Sequence, residues 1–216
     1  DRTSRCGSHF GGHISREYKA DEMTLKLTFE PVTPDRWDDF EELFGERGAC
    51  AGCWCMWWRG TRKEYEKNQG TGNKRRMKKL ILSGEIPGIL AYHDGNPIGW
   101  CAIQPRETYT ALARSRIMAP VDDKPVWSVT CFFIRRDYRR RGVSLRLLEA
   151  AARHAASQGA RIVEGYPIDP RNDEEPDAFM YHGIASAFRS AKFKEAARRS
   201  PTRPIMRRVV RPRKKR

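Results

Sequence analysis

Residues 132–155 read FFIRRDYRRRGVSLRLLEAAARHA, and this stretch decides the fold. An apolar run leads into a turn holding Arg135, Arg136, Arg139, Arg140 and Arg141, then into an Ala/Leu-rich run with Leu148, Ala151, Ala152 and Ala155 at helical spacing. The pattern predicts a strand, a tight turn, and a helix over residues 143–157. A helix that starts directly after a strand leaves its first backbone N–H groups unpaired and aimed at the turn. The helix dipole makes that end positive, so a pyrophosphate fits there. Gly142 is the only glycine between strand and helix, where a side chain would obstruct close approach of phosphates, and Ser144 beyond it is small.

Working outward, VWSVTCFFI (126–134) is almost continuously apolar, as a strand buried on both faces would be, and RIVEGY (161–166) supplies a second short strand. Upstream, residues 25–32 alternate as a strand. Thr33-Pro34 then predicts an N-cap and a first-turn proline for a helix carrying Trp37, Phe40 and Phe44. A second helix is expected over 73–83, with Met77, Leu80 and Ile81 as its apolar face. A β-hairpin is expected from 88–93 and 98–104 around Asp94-Gly95-Asn96-Pro97. Residues 109–123 read as irregular. Downstream come a Pro/Asp/Glu-rich loop (167–176), helical spacing over 179–190, and two closing strands, 194–199 and 203–209. The expected organisation is a flexible extension over 1–22, one domain over 23–209 and a basic tail over 210–216.

The net charge of +15 attracts anions without saying which. Seven basic residues lie in the last ten (Arg207, Arg208, Arg211, Arg213, Lys214, Lys215, Arg216), and +15 less those seven leaves +8 for the rest. Six Trp and nine Phe argue for a packed core rather than a disordered chain. No apolar run approaches a membrane span, and the N-terminus lacks an apolar signal core, so a cytoplasmic protein with no membrane partner is expected, as monomer or homodimer. The six cysteines do not form a secreted disulfide pattern and read as reduced thiols.

The turn lacks both GxxxxGK[ST] and GxGxxG. Arg139-Arg140-Arg141-Gly142-Val143-Ser144 resembles instead the pyrophosphate signature of the GNAT superfamily of N-acetyltransferases: Gln or Arg, two residues, Gly, one residue, Gly or Ala. Ser144 departs mildly from it. FFIRRDYR looks like the family's central strand end, and FRSAKF resembles its closing aromatic motif. The resemblance spans about residues 23–209 and implies an α/β (α+β) fold: a mixed, mostly antiparallel central sheet flanked by helices. It also implies acetyl-CoA as acyl donor, no metal, and transfer of the acetyl group directly to a primary amine. By matching positions, the backbone of Phe132, Phe133 and Ile134 would hold the pantetheine arm. The turn residues Arg139, Arg140, Arg141, Gly142, Val143, Ser144 and Leu145 would hold the pyrophosphate.

The chemistry needs a base or water relay for the amine proton, a donor to the oxyanion, and a proton for the departing thiolate. Glu164 matches a position where some family members carry a catalytic Glu, and reads equally as a salt-bridged strand-end carboxylate. The family's usual Tyr is replaced by Phe188 and the Gly before its final Phe by Lys192, which puts the acid in doubt. Tyr181 is the substitute candidate, against a plain packing role, and Tyr166 is a further option.

CAGCWCMWWRG (50–60) falls where the family walls its acceptor site. Trp54, Trp57 and Trp58 read either as an aromatic face for a cationic or flat amine or as a hydrophobic plug. Cys50, Cys53 and Cys55 lack a downstream partner pair, which argues against a structural zinc site. Asp173, Glu174, Glu175 and Asp177 form an acidic loop, read as solvated surface or as an attractor of cationic acceptors. The rival class is a basic nucleic-acid-associated module resting on the tail; Tyr138, the only aromatic in the arginine turn, does not make a base-stacking platform. A non-catalytic acyl-CoA-binding version of the same fold is the third reading.

Overall fold

The computed structural model describes residues 25–169 and 181–212. Seven strands form one sheet in the order β1-β2-β3-β4-β5-β7-β6. They are β1 (Leu27–Pro31), β2 (Gly88–His93), β3 (Asn96–Pro105), β4 (Trp127–Ile134), β5 (Ile162–Gly165), β6 (Lys194–Arg198) and β7 (Pro204–Val209). Every neighbouring pair is antiparallel except β4 and β5. The parallel pair is joined through α4 (Val143–Ser157), the connection such a pair requires.

The β2–β3 hairpin closes through Asp94 and Gly95, both at positive φ (49° and 78°), the backbone that a two-residue hairpin turn demands. Alternation then sorts the side chains of β2 and β3. Ile89, Ala91, Cys101 and Ile103 pack with Leu147, Ala151 and Ala155 of α4 and Phe188 of α5 (Ala185–Ser190). Leu90, Tyr92, Trp100 and Ala102 pack on the opposite face with Phe40 and Phe44 of α1 (Trp37–Phe44) and Met77 and Ile81 of α3 (Thr71–Leu82). Small residues set how closely α4 approaches: a Cβ on Gly99 would lie 3.0 Å from Leu147 Cδ1.

Several expectations are corrected. Thr33 makes no capping hydrogen bond to the helix. Pro34–Arg36 is a separate 3-10 turn and α1 starts at Trp37. An unanticipated helix, α2 (Arg62–Lys67), is closed by a reciprocal capping box between Thr61 and Glu64, a T-x-x-E signal present in the sequence. The helix expected over 179–190 is confined to α5 within the described residues, with Tyr181 and His182 in a short turn before it. The family glycine replaced by Lys192 sits where the chain requires φ of 66°. The extension 1–22, the acidic loop at Asp173, Glu174, Glu175 and Asp177, and the last four residues lie outside the described residues. No helix among the described residues is long and apolar enough to cross a membrane.

Candidate active site

The sheet is incomplete at its centre. The parallel pairing of β4 with β5 covers only Trp127↔Val163, Ser128↔Glu164 and Val129↔Gly165. β4 runs on for five more residues, to Ile134, without a ladder partner on that side among the described residues. At the point of divergence β4 carries a bulge. Val129 pairs with Ile103 and Cys131 with Ala102, so Thr130 is one extra residue. A bulge reverses the strand's alternation and re-aims its side chains. Val129 and Phe132 therefore face α4, whereas Cys131 and Phe133 face the α1 side. The continuous apolar reading of this strand hid that change of phase.

Beyond Ile134 the chain turns into α4. Gly142 adopts a left-handed conformation at the helix N-cap (φ 74°), and a Cβ there would meet nothing within 4 Å. Arg140 is left-handed too, at φ 58°. Tyr138 organises the turn: the guanidinium of Arg135 lies 5.7 Å and that of Arg141 5.5 Å from its ring centre, and its hydroxyl meets His93 Nδ1 at 3.1 Å. Arg139 donates from Nε to the Ile134 carbonyl at 3.1 Å, and Arg135 pairs with Asp137. Arg139, Arg140 and Arg141 are exposed. Val143 is buried in the core, so it offers the turn its backbone alone, and Leu145 packs against the same core. The open N-terminal turn of α4 thus adjoins the unpaired end of β4, with exposed arginines around it.

Glu164 lies on β5 beside Ser128, fully buried. Its Oε1 accepts from Arg106 (3.1 Å) and from the Tyr166 hydroxyl (2.6 Å), and its Oε2 accepts from Arg207 Nε (2.7 Å). The Tyr166 hydroxyl also meets Arg106 and, at 2.9 Å, Ser128 Oγ. Arg207 reaches on to Asp122, whose carboxyl it holds below the ordinary carboxylate range, and Arg106 to the Met118 carbonyl. Both carboxylate oxygens are therefore engaged, the geometry of the ion-paired alternative. Burial beside this carboxylate pushes the Tyr166 hydroxyl far up.

Tyr181 packs against His182 with ring centres 4.3 Å apart, and burial pushes its hydroxyl up to about 12. Phe188 is fully buried against Phe193 and Phe132. The three tryptophans do not form one face. Trp54 is buried among Trp37, Phe40 and Phe44, 5.6–6.3 Å between ring centres, and is part of the plug. Trp57 is exposed against Tyr65, and Trp58 leans on His182 at 5.4 Å. Cys50, Cys53, Cys55, Cys101 and Cys131 are free thiols, and no group of three metal-ligating side chains occurs among the described residues.

Sequence reasoning missed a set of polar atoms on this side of β4. Tyr109 OH, Thr130 Oγ1, Trp58 Nε1, His182 Nδ1, and Nε and Nη2 of Arg59 are all shut off from solvent with no hydrogen-bond partner. Burial, with the positive charge of Arg203 adding to it, pushes the His182 imidazole far below its ordinary value, so it is neutral at pH 7. The local hint in the sequence is polar Thr130, two residues after Ser128 in a largely apolar strand.

Among solved structures, the chain is similar to a GNAT-family acetyltransferase from Listeria monocytogenes 4b F2365 (9% identity, 85% of this chain and 95% of that chain, TM-score 0.50). Two further similar structures are the PaiA N-acetyltransferase of Thermoplasma acidophilum in complex with coenzyme A (12%, 86% and 100%, 0.49) and the ribosomal-protein-S5-alanine acetyltransferase of Vibrio fischeri (9%, 85% and 92%, 0.48). No curated protein matches the chain. The sequence model of the acetyltransferase (GNAT) family matches residues 29–174, which take in the gap between β4 and β5, the arginine turn and the whole of α4. The chain belongs to the acetyltransferase (GNAT) family.

Proposed function

We propose that the protein transfers an acetyl group from acetyl-CoA directly to a primary amine. The observation that carries this reading is the juxtaposition of an unpaired β4 edge with the open first turn of α4. An extended pantetheine arm satisfies the backbone groups of Phe132, Phe133 and Ile134, as an added strand would. The pyrophosphate meets the N–H groups of Val143, Ser144 and Leu145 at the positive end of the helix, and Arg139, Arg140 and Arg141 supply charge around it. Gly142 leaves the approach open.

The thioester then lies near the Thr130 bulge, where a backbone N–H released from the ladder is the oxyanion donor. The amine nitrogen attacks the acetyl carbon, the C–S bond breaks, and the amine proton leaves through water. His182, neutral and with an unpartnered ring nitrogen, is the relay group we favour. Tyr181, which keeps its proton at neutral pH, is proposed as the donor to the CoA thiolate. We assign Glu164 to positioning: it fixes Arg106, Tyr166 and Arg207 beneath the site.

Calorimetric titration with acetyl-CoA tests the reading. Wild type binds, and Gly142→Glu, which puts a carboxylate against the phosphates, loses binding while remaining folded by circular dichroism. A folded wild-type protein that does not bind acetyl-CoA refutes the reading.

A further inference from the structure

The chain reverses sharply at Trp54 and Cys55, two consecutive non-glycine residues at positive φ (43° and 58°). Burial of Trp54 and backbone hydrogen bonds from Met56 to Cys53 (2.8 Å), Arg59 to Met56 (3.1 Å) and Ala111 to Trp58 (3.1 Å) hold this conformation. Its outcome is the placement of Arg59, whose guanidinium stacks 4.8 Å from the ring centre of Tyr109. A backbone of this kind is kept only when its surroundings over-determine it, and such segments concentrate at ligand sites.

Arg59 Nε and Nη2 are both closed off from solvent and have no partner. These two nitrogens form one edge of the guanidinium fork, the edge whose parallel N–H bonds match the two oxygens of a carboxylate. No carboxylate pairs with Arg59 among the described residues, and donors shut off from solvent without an acceptor are costly. Trp58 Nε1, a pure donor, is unpartnered nearby in sequence, and the hydroxyls of Tyr109 and Thr130 have no neighbour but each other. Thr130 is the bulge residue at the divergence of β4 and β5, and its side chain neighbours the Tyr109 hydroxyl. Stacked on Tyr109, Arg59 therefore lies one side chain away from the bulge at which β4 and β5 diverge.

We infer that the acceptor is an α-amino acid or a close analogue, its carboxylate held by the Nε–Nη2 edge of Arg59 and its amine presented to the thioester. This rests on the acetyltransferase reading. CoA release by the full chain is measured with each of the twenty standard amino acids against its carboxamide. Expected is at least one amino acid used more than tenfold better, in kcat/KM, than its carboxamide. Arg59→Met brings that ratio close to one through a raised KM for the carboxylate, and Arg59→Lys retains part of it. Equal use of acids and carboxamides, or an unchanged ratio in Arg59→Met, overturns the inference. So does a protein that binds acetyl-CoA and acetylates none of the twenty. If acetyl-CoA does not bind at all, the acetyltransferase reading fails by itself. Calorimetric titration of the same amino acids into wild type and Arg59→Met then decides the carboxylate site: heat lost in the variant supports it, and no heat with wild type overturns it.

Discussion

Replacing Glu164 by Gln separates an anchor from a general base. The wild-type carboxylate is fully buried and takes hydrogen bonds from Arg106, Tyr166 and Arg207. Gln keeps the shape but removes the charge, and its NH2 must face either Arg106 or Arg207, donor against donor. Both arginine side chains are only 13–14% exposed, so water does little to relieve them. Breaking a buried pair by removing one partner costs about 3–5 kcal/mol. Arg207 keeps Asp122 and Arg106 keeps the Met118 carbonyl, which places the expected loss at the low end, about 3 kcal/mol. With a urea slope of about 3 kcal/mol/M, the unfolding midpoint falls by roughly 1 M at unchanged slope. The assay is equilibrium urea unfolding followed by tryptophan fluorescence, run beside CoA release. A variant as stable as wild type that has lost acetyl transfer refutes the argument and returns Glu164 to the role of base.

Two other outcomes follow from local geometry. Lys192→Gly relieves a left-handed non-glycine residue (φ 66°) and is expected to stabilise the fold by about 1 kcal/mol, read as a higher urea midpoint. His182 and His154 are both held below the ordinary histidine value of 6.5 by burial, so the native state binds fewer protons than the unfolded chain. Stability is then level above pH 6.5 and falls as pH drops below it, by up to about 1.4 kcal/mol per pH unit for each histidine. Urea midpoints at pH 7.5 and 5.0 show the drop, and His182→Asn reduces it.

What the sequence revealed depended on how local the signal was. The bounds of α4 and the β2–β3 turn were legible because apolar spacing, Gly142 and Asp94-Gly95 act within a few residues. The strand–turn–helix passage through Gly142 was legible for the same reason, since one glycine between two apolar runs marks it. The acceptor side was not. Glu164 meets partners 58 and 43 residues away, Arg106 and Arg207, and nothing local at Glu164 announces them. Trp54, Trp57 and Trp58 are neighbours in sequence, yet across the positive-φ reversal at Trp54 and Cys55 the first enters one core, Trp57 is exposed and Trp58 packs half-buried against a second core around Tyr109. The Thr130 bulge escaped because apolar residues on both faces of the strand leave its alternation, and so its change of phase, unmarked.

Three rungs join β5 and the strands beyond it to β4, and this has a consequence for the protein's persistence. The edge of β4 past that seam exists only in the folded sheet, so a molecule lying along it has nothing to bind in the unfolded chain. At a free concentration one hundred times its dissociation constant, such a molecule adds about 2.7 kcal/mol to folding stability. The fraction of unfolded chain open to proteolysis is then about a hundredfold smaller with the seam filled than with it empty.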